Sequence, residues 1–180
     1  MKDQDRREEF NRIALPHLDA AYNLARWLTR HEQDAEDVVQ EAYLRAYRFF
    51  RSFHGEAGRA WLLQIVRNTC HTWLARNRPA AGSSAPPQII ADLPGPAANP
   101  HAALERRENE QLLLQAVADL PVEFREVIVL RELEDLSYKE IARIAEVPLG
   151  TVMSRLARGR ERLHEILERK GAGEGSDGMP

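Results

Sequence analysis

The sequence predicts an all-α protein made of two small helical modules joined by a linker rich in Pro, Ala and Gly. Apolar residues recur at intervals of three and four along most of the chain, and no clear alternation of period two is present. Six of the ten prolines fall between residues 79 and 100, where they disfavour both helix and sheet. The 180 residues suffice for one medium domain or two small ones.

The N-terminal module is expected over residues 1–78 and the linker over 79–103. Fully extended, the linker could reach about 80 Å. Apolar spacing in this module predicts helices near 5–14, 17–30, 34–51 and 58–77.

The C-terminal module is expected over residues 104–170, followed by a disordered tail at 171–180 that is rich in glycine. Ser137 and Glu140 form a capping box, and Pro121 and Pro148 suit first-turn positions of helices. The predicted helices of this module lie near 104–119, 121–134, 137–144 and 148–169, and the last two form a helix-turn-helix.

Composition excludes several classes of protein. A net charge of −3 excludes a uniformly basic nucleic-acid coat protein. The single cysteine, Cys70, excludes an internal disulfide framework and a multi-cysteine metal site. No apolar run approaches the roughly 20 residues of a membrane span, and no signal-type stretch follows the charged start. We therefore expect a soluble, cytoplasmic protein without membrane insertion.

Charge is strongly sorted along the chain. Residues 31–41 hold five acids and no Lys or Arg, whereas residues 42–78 hold seven arginines and one acid. Residues 121–146 hold seven acids and four bases, and residues 148–170 hold six bases and three acids. A single charged run is usually a solvated helix face. Two basic segments, each beside an acidic one, indicate binding surfaces.

The helix near 34–51 combines a buried stripe with an acidic outer face that contains one leucine. Its apolar stripe is expected to be Ala35, Val38, Val39, Ala42, Ala46, Phe49 and Phe50. The opposite face carries Asp37, Gln40, Glu41, Leu44 and Arg48. Single exposed leucines are common. A hydrophobic anchor ringed by acids nevertheless suits docking of a basic partner.

The helix near 58–77 and the loop before it offer groups that suit nucleic acid. The outer stripe of the helix is Gln64, Arg67, Asn68, His71 and Arg78, all potential donors to phosphate or base edges. Aromatic, amide and basic groups around a loop can hold an unstacked base, and the candidates here are Phe53, His54, Gly55, Glu56 and Arg59. Cys70 is expected in the core. Trp61 lies at the edge of the apolar side, where a place in the core is favoured over contact with a base.

The segment LSYKEIARIAEVPLGTVMSRLARGR, residues 136–160, predicts the helix-turn-helix. Its second helix has an apolar side of Val152, Leu156, Leu163, Ile166 and Leu167. Small and basic side chains in the outward half of such a helix suit the major groove of DNA. The candidate DNA-binding residues are Lys139, Thr151, Ser154, Arg155, Arg158 and Arg162.

Three segments together resemble the extracytoplasmic-function (ECF) subfamily of the bacterial sigma-70 factors. DAEDVVQEAYLRAY (34–47) is similar to the family's polymerase-binding helix, FHGE (53–56) with AWLLQIVRNT (60–69) to its −10 element loop and helix, and residues 136–160 to its −35 reading motif. His54 and Met153 stand where many members have arginine.

The resemblance implies an alternative sigma factor that directs promoter-specific initiation without being an enzyme and without a cofactor. The N-terminal module would dock on the β′ clamp of core RNA polymerase and hold the melted −10 strand. The C-terminal module would read the −35 element and touch the β flap. Family members are commonly inhibited by an anti-sigma factor, which is therefore an expected partner.

The recognition segment has a local charge of only +3, from six bases and three acids. Because DNA affinity follows the number of phosphates neutralised, we expect the free chain to bind duplex DNA weakly and to need polymerase for promoter binding.

Two other functions remain open at this stage. A stand-alone helix-turn-helix regulator fits residues 136–160 equally well but leaves the acidic face unexplained. A metal-dependent hydrolase using His17, His31, Asp34 and Asp37 has suitable ligand types, but their spacing matches no common site.

Overall fold

A computed structural model of the protein describes residues 3–55, 57–77 and 100–174, and these form helices without a strand among them. The helices are α1 Asp3–Ala14, α2 Leu18–Thr29, α3 Glu32–Phe49, α4 Gly58–Arg76, α5 Pro100–Ala118, α6 Val122–Ile128, α7 Tyr138–Ala145 and α8 Leu149–Glu174. Short 3-10 turns occupy Leu15–His17 and Phe50–Ser52, and a π-helical turn occupies Val129–Leu133. The all-α prediction is confirmed. None of the helices described is long and apolar enough to span a membrane.

Helix boundaries differ from the expected ones at three places. α5 begins at Pro100, inside the expected linker, since proline is tolerated in the first turn of a helix. α8 continues to Glu174, so four residues of the expected tail are helical. The helix expected over 121–134 changes at Val129 into a wider turn, where the backbone N–H of Glu134 bonds to the Val129 carbonyl at 3.1 Å. The rest of the linker and residues 175–180 lie outside the part of the chain that is described.

In the N-terminal module, α1 lies across α4, and α2, α3 and α4 pack against one another. Aromatic rings of Phe10, Phe50, Phe53 and Trp61 form one cluster at the end of α3, with ring centroids 4.6–6.3 Å apart. Trp61 therefore belongs to the core, as expected. The cluster fixes the loop that precedes α4.

One residue that was expected in the buried stripe of α3 is exposed in the structure. Phe49 is 62% exposed, although its angular position on the helix matches the buried stripe. The helix ends there, and Phe50 in the following 3-10 turn takes the place beside Phe10 instead. The expectation that Phe49 is buried was wrong because helical periodicity does not account for a change of turn at the helix end.

In the C-terminal module, α6 packs on α8 and α7 lies against α8 as the helix-turn-helix. The Ser137 hydroxyl accepts a bond from the Glu140 N–H at 3.2 Å, and the Glu140 carboxylate accepts one from the Ser137 N–H at 2.8 Å. The predicted capping box is thus confirmed. Glu146 ends α7 with a φ of 56°, in the left-handed region, and so turns the chain toward α8.

The two modules are packed together. α2 lies against α6, and α4 lies against α7. Buried leucines of α2 and α4 belong to the same core cluster as Leu130 and Leu136 of the C-terminal module. The arrangement places the outer stripe of α4 against the C-terminal module, which determines the chemistry of the site below.

Candidate functional site

The acidic outer face of α3 is open to solvent. Asp37, Gln40, Glu41, Leu44 and Arg48 are all exposed, and the Leu44 side chain is 59% exposed. Burying an exposed leucine on a partner gains free energy roughly in proportion to the apolar area covered. This set, which we call the α3 face, therefore has the geometry of a docking surface.

A groove of about 410 Å³ continues the α3 face toward α1. It is lined by Arg7, Phe10, Asn11, Gln40, Tyr43, Leu44 and Tyr47. The wall is ordered by hydrogen bonds from the Tyr43 hydroxyl to the Ala14 carbonyl at 2.9 Å and from Arg6 Nη2 to the Tyr47 carbonyl at 2.6 Å. Burial raises the pKa of Tyr43 to about 12, with Asp19 contributing, so its hydroxyl stays a donor. Sequence reasoning missed the contribution of α1 because nothing in its spacing shows which helix it crosses.

The loop before α4 opens onto a second cavity, of about 570 Å³, which we call the loop pocket. It is lined by Phe53, Gly55 and Arg59, which were predicted for this site, and also by Ala57 and Gly58. Gly55 has a φ of +150°, a conformation that favours glycine. A Cβ on Gly58 would lie 2.7 Å from Ile13 Cγ2, so only glycine lets α4 start this close to α1. The pocket is large enough to accept a nucleobase.

Sequence reasoning missed three polar residues of the loop pocket: Arg12, His17 and Glu140. Burial, together with the nearby charge of Arg59, lowers the pKa of His17, so its ring is neutral at neutral pH. His17 was considered only as a metal ligand. Glu140 comes from the C-terminal module, a neighbour that local sequence does not reveal. His54 is exposed beside the loop, and its Nδ1 lies 2.9 Å from the Ser52 carbonyl.

The outer stripe of α4 faces the C-terminal module instead of open solvent. Arg67 forms a two-point ion pair with the fully buried Glu126, and its Nη1 also donates to Asn68 Oδ1 at 3.2 Å. Asn68 Nδ2 and Gln64 Nε2 donate to the same Glu146 oxygen, at 2.9 and 2.8 Å. Each of these three predicted DNA-binding side chains therefore donates hydrogen bonds to a carboxylate of the C-terminal module.

One residue of the loop pocket, Arg59, and one further stripe residue, His71, also meet carboxylates of the C-terminal module. Arg59 Nη2 donates to the Glu134 carboxylate at 3.0 Å and to the Glu134 carbonyl at 2.9 Å. His71 Nε2 lies 3.5 Å from a Glu126 oxygen. Arg78 and Glu56, also predicted for this site, lie outside the described residues.

The buried Glu126 is ionised because its partners outweigh its burial. Burial alone would raise its pKa, but the His71 ring and the Arg67 guanidinium hold the pKa below its usual value. The neighbouring Arg125 is also buried and donates to the Trp27 carbonyl of α2 at 3.0 Å. Burial lowers the pKa of Arg125 to about 10, with the charge of Arg30 contributing, so it is still charged at neutral pH. Two buried charged residues of α6, Arg125 and Glu126, therefore bond to the N-terminal module across the contact.

The helix-turn-helix exposes four of its six expected DNA-binding residues to solvent. Lys139, Ser154, Arg158 and Arg162 are exposed, whereas Thr151 and Arg155 are half-buried. Arg162 pairs with Glu165 at 3.0 Å within α8, whereas Val152, Leu156 and Ile166 face the core. The surface is compatible with insertion of α8 into a major groove.

The geometry does not assemble a metal centre from the alternative set. Asp37 lies on the exposed α3 face, and His17 lines the loop pocket. Within residues 3–55, 57–77 and 100–174, no three His, Cys, Asp or Glu side chains are grouped to hold an ion.

Comparison with known proteins gives two family matches. Residues 13–79 match Sigma-70 region 2, and residues 110–163 match Sigma-70, region 4. The first match contains the α3 face and all the lining residues of the loop pocket except Arg12 and Glu140, and the second contains the helix-turn-helix.

Individual relatives agree with these matches. The ECF RNA polymerase sigma-E factor of Escherichia coli is 39% identical over 135 residues, which are 71% of each chain. The ECF RNA polymerase sigma factor SigE of Mycolicibacterium smegmatis is 33% identical over 92% of this chain, which spans only 64% of that protein. The sigma factor RpoE of Bartonella quintana, solved with the anti-sigma factor NepR, has a TM-score of 0.66 at 27% identity, over 89% of this chain and 98% of that one.

Proposed function

The chain belongs to the ECF subfamily of the sigma-70 family, and we propose that it binds core RNA polymerase and directs transcription from its own set of promoters. The observation that carries the proposal is the coexistence, in one chain, of an open α3 face, a loop pocket and an exposed helix-turn-helix. A stand-alone regulator would need only the last of these.

Docking on polymerase is assigned to the α3 face. Leu44 is the apolar anchor, and Asp37, Gln40, Glu41 and Arg48 surround it with polar and charged groups that select a basic partner. Acids at the rim speed association and set orientation, while the leucine contributes apolar burial at the centre of the contact. The partner surface in this proposal is the β′ clamp.

The loop pocket and the α4 stripe would hold the melted −10 strand. One base would enter the pocket beside Phe53, with His54, Gly55 and Arg59 at its mouth. Glu56 is assigned to the same base by the resemblance alone. The following nucleotides would run along α4, whose side chains can donate to phosphates and base edges when they are released from Glu126 and Glu146. These donors are Gln64, Arg67, Asn68, His71 and Arg78.

The helix-turn-helix would read the −35 element. Arg158 and Ser154 are exposed on α8 and would contact base edges, with Lys139, Thr151, Arg155 and Arg162 around them. The 22 residues 78–99 between the described parts could span up to about 75 Å, enough for two sites two helical turns apart. The β flap is the polymerase contact proposed for this module.

The remaining assignments follow from this role. An anti-sigma factor is a proposed partner, as for the Bartonella relative solved with one. The proposed place of action is the cytoplasm, where core polymerase is found. Members of the family are not enzymes, and we assign no catalytic residue and no cofactor to this chain.

Run-off transcription with purified core polymerase over genomic fragments tests the proposal. We expect a stoichiometric complex with core enzyme and RNA that starts at discrete promoters. The free chain should bind duplex DNA weakly at physiological salt. A protein that shifts a specific duplex tightly without polymerase, and that forms no complex with core enzyme, would be a stand-alone regulator.

A further inference from the structure

The outward side of α8 carries two strips of side chains with different chemistry. The first is polar and contains Ser154 and Arg158, both exposed. The second, which we call the apolar strip, consists of Leu149, Met153 and Ala157, which are four residues apart and therefore stack on one side of the helix. All three are exposed, and Met153 is 49% exposed. An uncharged surface thus lies beside the polar strip at the start of α8.

The apolar strip is separate from the side of α8 that stabilises the module. Val152 and Leu156 face the core, where they are 0% and 1% exposed. Single exposed apolar residues are common and need no partner. Met153, however, lies in the second turn of α8, and the N-terminal part of a recognition helix meets base edges in the major groove. In a complex with DNA, the neighbours of Met153 would therefore be bases.

The four bases differ in whether they offer an apolar group to such a side chain. In the major groove, guanine, adenine and cytosine present hydrogen-bond donors and acceptors, whereas thymine also presents its 5-methyl group. The thioether of methionine has no donor and is only a weak acceptor. Beside the other three bases it would displace water without replacing the hydrogen bonds of that water, which costs free energy. Beside thymine it covers the methyl group and gains free energy.

We propose that Met153 selects a thymine in the −35 element by packing its side chain against the 5-methyl group, with Leu149 bordering the same contact. This inference rests on the proposed function. Met153 and Arg158 are separated by about 7.5 Å along the helix axis, whereas neighbouring base pairs are about 3.4 Å apart. The two side chains therefore contact different base pairs, so the thymine position differs from the position read by Arg158.

Replacing thymidine by deoxyuridine tests the contact, because the exchange removes the 5-methyl group and leaves base pairing unchanged. Wild-type protein with purified core polymerase is tested on a promoter identified by run-off transcription, with each thymine of the −35 element replaced in turn on either strand. Competition between modified and unmodified promoters for the polymerase complex is measured. Loss of one buried methyl group should weaken binding about fourfold at one position.

Three variants decide whether Met153 makes this contact. M153A should bind the thymine and uracil promoters equally, because its side chain no longer reaches the methyl group, whereas M153L should retain most of the preference. The control is L113A, which shortens a leucine that is 44% exposed on α5, outside the apolar strip. L113A should keep the full preference. A general loss of stability would weaken binding to both promoters and leave their ratio unchanged.

Equal binding of thymine and uracil promoters by the wild type at every position would overturn the inference. A preference that persists undiminished in M153A would overturn it as well. Run-off transcription from the unmodified promoter, measured first, tests the proposed function by itself. Transcription that starts at discrete promoters but is insensitive to the methyl groups leaves the proposed function standing and removes only the role of Met153. A complete absence of transcription removes both.

Discussion

The substitution Leu44→Asp tests the α3 face most directly. Full burial of a leucine side chain gains roughly 1.5–3 kcal/mol. Since Leu44 is 59% exposed in the free protein, docking can gain about 1–2 kcal/mol from it. Aspartate loses that gain and adds an unpaired carboxylate near Asp37 and Glu41, which costs about a further 1–3 kcal/mol when a partner covers it. The sum, about 2–5 kcal/mol, weakens binding by about 30-fold to several thousand-fold.

The assay is binding of labelled protein to purified core RNA polymerase, with circular dichroism and urea unfolding in parallel. An exposed position changes the free energy of unfolding by no more than about 0.5 kcal/mol. Leu44→Ala should show an intermediate loss, because it removes the apolar contact alone. Leu15→Asp is the matched control, since Leu15 is 53% exposed in the same module but outside the α3 face and its groove. If Leu44→Asp binds within threefold of wild type, the docking-face assignment is wrong.

Three other predictions concern recognition, packing and reactivity. Arg158→Ala should cost about 1–3 kcal/mol and relax the preference at one −35 position, measured by transcription from promoters altered base by base; a uniform loss would indicate a phosphate contact. Gly58→Ala should lower the free energy of unfolding in urea by about 1–3 kcal/mol, because its Cβ would meet Ile13 at 2.7 Å. Gly150→Ala, with open space around it in α8, should instead raise that free energy by up to about 1 kcal/mol. The thiol of Cys70 is fully buried, and burial raises its pKa to about 12, so native protein at pH 8 should resist maleimide while unfolded protein reacts; rapid native labelling would contradict the core placement.

Most of the fold could be predicted because the signals that determine it are local. The Ser137–Glu140 capping box, the apolar spacing of α3 and the exposed Leu44 each depend on residues within a few turns of one another. Where the local rule changes, prediction failed. Phe49 follows the helical period but lies at a helix end, and the turn at Val129–Leu133 departs from the α-helical period.

The site could be predicted only in part, because its second half comes from distant sequence. The stripe of α4 was identified from its donors, but Glu126 lies 59 residues from Arg67 and Glu146 lies 78 residues from Asn68. The excess of acids over residues 121–146 was the available signal. It indicated a binding surface but could not show that the partner of this surface lies in the same chain.

The energetics of the buried pair explain why the contact between the modules depends on both of its charges. Removing one partner of a buried ion pair typically costs about 3–5 kcal/mol, because the other charge is left in a low dielectric. The pair between Glu126 and Arg67 meets this condition, since their side chains are 0% and 16% exposed. Separating the modules would return both charges to water, but it would also expose the apolar side chains that the two modules share in one core. The shared core, more than the ion pair, therefore holds the modules together.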